Sequence, residues 1–134
     1  MATSAAQQML GEITPKLADL TDEVLFGDVW ERPGLSPRDR SLITISALVA
    51  LYRTEQLGAH LRIGLGNGLS VEEIAEAVTH LAFYAGWPNA FTAAAQLKAI
   101  AAEQPAPGAA VVRVLGDELL VWRLPGPGGH QERG

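Results

Sequence analysis

Apolar and small residues fall on every side of a helical projection between Arg40 and Tyr52, where Leu42, Ile43, Ile45, Ala47, Leu48, Val49, Ala50 and Leu51 leave no wet face. Such a run predicts a helix buried all round, the central element of its domain. Ser36-Pro37-Arg38-Asp39 opens it, with Ser36 as the cap, Pro37 in the first turn and Asp39 placed to return a bond to the cap. Upstream, Met9, Leu10, Ile13, Leu17 and Leu20 recur at near-helical spacing, broken near Pro15. Thr21 then offers a cap for a short helix through Val24, Leu25 and Val29, ending near Trp30. Downstream, Thr54 caps a helix through Leu57, Leu61 and Leu65 that stops at Asn67-Gly68 and folds back on the central helix. Ser70 to Glu73 forms a second capping box, ahead of a stripe of Val71, Ile74, Ala75, Val78, Leu81, Ala82 and Ala85. Gly86-Trp87-Pro88 ends that stripe, and a last alanine-rich helix, from Asn89 to about Glu103, packs through Phe91, Leu97 and Ile100.

The pattern changes after Gln104. Pro105-Ala106-Pro107-Gly108 reads as a linker, and the β-branched and apolar residues around Gly116-Asp117 predict a short β-hairpin or an extended arm. A lone hairpin is marginal in water, so Val112, Val114, Leu119, Val121 and Trp122 are expected to pack on the helical body or on another subunit. The last residues, PGPGGHQERG, are expected to be disordered. The fold class is all-α, with a helical domain over residues 1–104 and a linker, hairpin or arm and tail over 105–134.

Composition narrows the chemistry. The 134 residues hold 48% apolar side chains, enough for one domain with its own core. Cysteine is absent, which removes disulfides, thiolate nucleophiles and zinc–thiolate sites together. The net charge of −5 is spread along the chain with no Lys/Arg cluster, which argues against nucleic acid or an anionic membrane as partner. The N-terminal stretch has no basic region followed by an apolar core, and the run from Leu42 to Tyr52 is too short to span a bilayer, so a cytoplasmic protein is expected. A few arginines remain able to grip a small anionic ligand, because a guanidinium fork needs only local positive charge.

Several motifs in order cover nearly half of the chain: Trp30-x-Arg32-Pro33-Gly34-Leu35, Arg38-x-Arg40-Ser41-Leu42, Leu57-x-x-His60-Leu61, Gly66-Asn67-Gly68-Leu69-Ser70-x-Glu72-Glu73-Ile74 and His80-x-Ala82-x-Tyr84-x-Gly86-Trp87-Pro88. Together they resemble the carboxymuconolactone decarboxylase family. The resemblance implies an alkylhydroperoxidase-like helical fold and ring-like homo-oligomers, trimeric or hexameric, with active sites near subunit contacts. Redox relatives carry two cysteines ahead of a histidine in the pattern C-x-x-C-x-x-x-H. Here that histidine is His60, and Arg53 and Gln56 stand at the cysteine places. Ala85 also replaces a cysteine frequent in members that look like the degradative enzyme, and the segment after Gln104 has no counterpart in short members.

The implied reaction is a cofactor-independent decarboxylation of a small carboxylated lactone or related unsaturated acid. Such a substrate spreads the electrons left by carbon dioxide into its own carbonyl, so no cofactor is expected. The protein must offer donors to that oxygen, deliver a proton to carbon and grip the carboxylates. His60 is the candidate acid/base, His80 an assisting donor, and Arg40 or Arg53 the carboxylate clamp. Gln56, Tyr84, Trp30 and Trp87 are candidate substrate contacts.

Each assignment has a structural counterpart. His60 lies on the flank of the Leu57–Leu61 stripe, with Gly64 one turn on leaving room for a ligand or another backbone. Equally, it is a core histidine satisfied by a carbonyl, Ser41 or Thr44. His80 and Tyr84 share a face with Glu76 and Ala77, which fits burial against another subunit as well as chemistry. Arg40 either pairs with Asp39 or Glu31 or faces a substrate. The two tryptophans serve as core or pocket walls. Neither histidine has a second histidine at metal-ligand spacing, so no metal site is expected. Two further functions stay open: a tailoring enzyme of natural-product biosynthesis, acting as cyclase, dehydratase or isomerase, and a non-catalytic oligomeric scaffold.

Overall fold

Ser36 and Ser70 set the two strongest helix starts. In the computed structural model, which describes residues 3–104, 110–115 and 118–123, both behave as N-caps. Six α-helices are described: α1 (Ala5–Leu10), α2 (Pro15–Leu20), α3 (Pro37–Ala50), α4 (Thr54–Gly66), α5 (Val71–Ala85) and α6 (Trp87–Glu103). A π-helical turn, Thr21–Phe26, extends α2, and a 3₁₀ turn, Val29–Glu31, precedes α3.

The caps differ in detail. Ser70 and Glu73 form the complete capping box, each side chain bonded to the other's backbone N–H at 3.0 Å. At α3 the Ser36 hydroxyl accepts from the Asp39 N–H at 3.1 Å, whereas the Asp39 carboxylate turns to Arg38 at 3.1 Å instead of returning to the cap. Thr54 and Thr21 are corrections. Arg53 holds the cap position of α4 and no side chain caps it. Thr21 continues the preceding helix and its hydroxyl donates to the Leu17 carbonyl at 2.7 Å, an interior bond that competes with a capping role.

Between α3 and α4 the chain turns in three residues. Tyr52 takes the left-handed conformation (φ +56°), and the N–H groups of Tyr52 and Arg53 bond the Val49 and Leu48 carbonyls, the 5→2 and 6→1 pair of a Schellman ending. Gly86 makes the corresponding break between α5 and α6 at φ +107°, ψ +152°, a region open essentially to glycine alone.

The two hairpins pack together, α3 on α5 and α4 on α6. Their shared core holds Ile45, Val49, Leu57, Leu61, Ile74, Val78, Leu97 and Ile100. Gly64 is buried where α3 and α4 approach most closely: a Cβ there would lie 2.9 Å from Ile45 Cδ1 and 3.0 Å from Leu69 Cδ1. The space that the sequence suggested for a ligand is filled by those two side chains. Polar ties close the bundle ends. Asn89 Nδ2 donates to the Val49 and Ala50 carbonyls at 2.9 and 3.2 Å, and Arg62 grips Glu103 with two bonds of 3.0 Å.

The central helix is not buried all round. Ile43, Ala47 and Ala50 lie along an exposed strip of α3, and Leu51 beyond its end is exposed as well. Phe91 is 70% exposed and takes no part in the core, where Ala90, Ala93, Leu97 and Ile100 carry the buried face of α6. Among the described residues no element covers either face.

Strands β1 (Ala110–Leu115) and β2 (Glu118–Arg123) pair antiparallel, with Val112 opposite Val121 and Val114 opposite Leu119. The linker, the turn at Gly116-Asp117, the C-terminal tail and the packing of the hairpin side chains lie outside the described residues. Among the described residues no helix is long and apolar enough to cross a membrane.

Candidate active site

His60 sits mid-way along α4, and its position follows from the Leu57–Leu61 stripe: one residue short of Leu61, it points to the border of the core. The imidazole is partly buried, and its Nδ1 is sealed from solvent with no hydrogen-bond partner among the described residues. Neither Ser41 nor Thr44 satisfies it. Thr44 donates to the Arg40 carbonyl at 2.8 Å, and Ser41 accepts from Asn67 Nδ2 at 3.0 Å. Burial pushes the His60 pKa below its ordinary 6.5, because desolvation penalises the imidazolium. The ring is therefore neutral at neutral pH, with one N–H to donate and one lone pair to accept.

Trp30 covers this imidazole. It is 8% exposed, stacked on His60 with centroids 6.2 Å apart and planes at 23°, and Phe26 also stacks with it at 5.9 Å. The Val29–Glu31 turn that carries Trp30 is held from α3: Arg40 Nη2 donates to the Arg32 carbonyl at 3.0 Å. Arg40 thus pairs with neither Asp39 nor Glu31. Its Nε is buried and has no partner among the described residues. About two turns after His60, just past the end of α4, Asn67 Oδ1 is also buried without a partner among them.

A half-buried neutral histidine and a guanidinium with a spare buried N–H therefore converge on one aromatic turn. An unmade hydrogen bond on a buried polar atom costs about 1–3 kcal/mol, so groups left this way are usually kept for a purpose. Phe26 and Asn67 escaped the sequence reading, whereas Ser41 was read as a partner of His60 and bonds Asn67 instead. Asn67 was absorbed into a helix-stop signal, although a side chain suited to the stop can also serve a site.

The other sequence candidates lie elsewhere. His80 and Tyr84 are exposed on the outer face of α5, stacked with centroids 4.9 Å apart. His80 lines an open groove of about 470 Å³ between α3 and α5 with Arg38, Glu73 and Glu76, and Arg38 pairs with Glu73 there. Arg53 and Gln56 are exposed on the first turn of α4. Trp87 is 54% exposed and meets Phe83 edge to face at 5.2 Å. Within one chain the structure stacks Trp30 on His60, ties Arg40 to the Arg32 carbonyl two residues after Trp30, and leaves His80, Tyr84, Trp87, Arg53 and Gln56 on outer surfaces. Among the described residues no three His, Asp or Glu side chains gather as a metal site.

A four-helix body with this histidine on its second helix agrees with the family resemblance, and the comparison with known families is direct. The chain belongs to the carboxymuconolactone decarboxylase family, whose pattern matches residues 15–99, from the start of α2 to near the end of α6. It is 38% identical over 79 residues to 4-carboxymuconolactone decarboxylase of Acinetobacter baylyi, a stretch covering 59% of each chain. It is 40% identical over 75 residues to nitrosuccinic acid decarboxylase of Metarhizium robertsii, covering 56% of this chain and 52% of that one. The chain therefore aligns with little more than half the length of these curated relatives.

Proposed function

We propose that this protein is a cofactor-independent decarboxylase of small carboxylic acids, in which His60 handles the proton and Arg40 helps to hold a carboxylate. The observation that carries this reading is the buried Nδ1 of a neutral His60, unpartnered among the described residues, beneath the Trp30 whose turn Arg40 holds through the Arg32 carbonyl that follows it. A purely structural histidine at such a place would be satisfied by a neighbour.

The substrates named for the two relatives share one chemical feature. In 4-carboxymuconolactone and in nitrosuccinic acid, a carboxylate departs beside a group that can take up its electrons, a conjugated lactone carbonyl in one and a nitro group in the other. The C–C bond to carbon dioxide breaks, the electron pair enters the acceptor as an enolate or nitronate, and a proton then returns to carbon. The neutral imidazole suits both halves of this sequence. Its N–H stabilises the developing oxyanion, and its other nitrogen accepts a proton from water and hands it to carbon, the hydroxide left behind combining with the released carbon dioxide as bicarbonate. Arg40 keeps N–H groups for a carboxylate after its bond to the Arg32 carbonyl, whereas exposed Arg53 has no such enclosure. The exposed Phe83, Tyr84 and Trp87 support a homo-oligomer, in which His80 and Tyr84 belong to a subunit contact.

The test is carbon dioxide release from 4-carboxymuconolactone and, separately, from nitrosuccinate, without added cofactor. Turnover of either is expected, and His60→Ala should lower kcat by roughly 10²–10⁴-fold with unchanged helicity. Absence of turnover on both by folded protein, or full activity in His60→Ala, sinks the reading.

A further inference from the structure

Residues 3–31 hold together as an arm. Helices α1 and α2 and the π-helical turn pack on one another, and their connection to the four-helix body runs chiefly through the Val29–Glu31 turn. Polar side chains are used up inside this arm: Ser4 Oγ donates to Asp22 at 2.7 Å, and Gln7 Nε2 donates to Asp19 at 2.9 Å. The apolar ones face out. Met9 on α1, Ile13 in the turn after it, Leu17 and Leu20 on α2 and Val24 in the π-helical turn are 78%, 85%, 52%, 41% and 46% exposed. So many uncovered apolar side chains on one short arm mark a stripe built to be covered.

The body offers a complementary surface. Between α5 and α6 runs an open groove of about 340 Å³ whose walls are almost wholly apolar, with Val78 and Ala82 in its floor and Phe83, Trp87 and Phe91 standing exposed along it. Charge is complementary as well. The arm carries Glu12, Asp19, Asp22, Glu23, Asp28 and Glu31 against Lys16, the whole of the chain's net charge of −5. Among the described residues none of those six acids pairs with a cation, and neither does Lys98, on the outer face of α6, or Arg53, beside the Tyr52 that bonds Thr92 of α6, pair with an acid.

We propose that the arm is an exchange arm: its Met9–Val24 stripe docks into the α5–α6 groove of a second copy of this chain, with its acids facing that copy's Lys98 and Arg53. The inference rests on the homo-oligomer of the preceding section and names the segments that build it. It is independent of the chemistry proposed there, because its readouts are mass and cross-linking.

The absence of native cysteine makes the test clean. Ile13→Cys and Phe91→Cys alter exposed side chains, so neither threatens the fold. The two variants are made as separate chains distinguishable by size, mixed and oxidised. A mixed disulfide dimer is expected; closure within single chains when both cysteines are on one chain, with no mixed dimer, overturns exchange. In parallel, Leu17→Glu and Phe91→Glu should each lower the mass by light scattering below that of wild type with unchanged circular dichroism. Lys98→Glu should weaken association several-fold where Lys98→Arg does not. A wild-type protein that is monomeric at tens of micromolar, or Leu17→Glu and Phe91→Glu proteins that keep the wild-type mass, refutes the proposal. Monomers that instead sediment with phosphatidylcholine vesicles would assign the stripe to lipid and refute it equally.

Discussion

At His60 one side chain is asked to be partly buried, neutral and unsatisfied. The sequence reached its burial, since the helical period places residue 60 on the flank of the Leu57–Leu61 stripe, but not its neighbours. Trp30 lies thirty positions upstream, and no local spacing predicts that the two rings stack. Its lowered pKa has a definite sign for stability. The folded state disfavours the imidazolium, so the contribution of His60 is complete above pH 6.5 and is lost as pH falls through the lowered folded value. Acid unfolding should therefore begin earlier in wild type than in His60→Gln, as followed by circular dichroism against pH. Activity should hold above about pH 6.5 and fall on the acid side, where protonation removes the lone pair. Gly64 teaches the reverse lesson, because a missing side chain read as space is the place where Ile45 and Leu69 touch the helix. Gly64→Val should cost about 1–3 kcal/mol in urea unfolding, overpacking a site with little room to give.

Among the elements, local chemistry decided what was legible. The starts of α3 and α5 were readable because serine, proline and glutamate at fixed offsets satisfy backbone N–H groups whatever the tertiary context. Ser70→Ala should lower stability by about 1 kcal/mol, seen as a shift of the denaturant midpoint at constant slope. The same logic failed at Thr21 and Thr54, where a capping residue type occurs inside or one place after the start of a helix. Threonine can bond the preceding turn as readily as cap, and only the path of the chain chooses. The exposed face of α3 was hidden for a different reason: an all-apolar helix predicts complete cover, and the sequence cannot say whether that cover comes from its own chain. Ile43 and Phe91 are apolar and yet uncovered among the described residues.

For the molecule as a whole, the four-helix body was legible as two hairpins, whereas the role of residues 3–31 was not, since each of its helices looks like an ordinary amphipathic segment. Only the uncovered outer stripe separates it from the body. If association covers both that stripe and the α5–α6 groove, thermal stability must depend on mass action. A roughly 100-fold rise in protein concentration should raise Tm measurably in wild type and leave Leu17→Glu unmoved, by scanning calorimetry. The join between arm and body has an optical consequence. Trp30 belongs to the root of the arm, and the ring pressed against it belongs to the body. A protonated imidazole takes up electrons from an excited indole more readily than a neutral one, so the emission lost between wild type and Trp30→Phe should dim as His60 gains its proton. Moving the arm away from the body would separate the rings and restore that emission. One native chromophore thus reports, without any label, both the charge of the candidate acid/base and the seating of the segment that covers it.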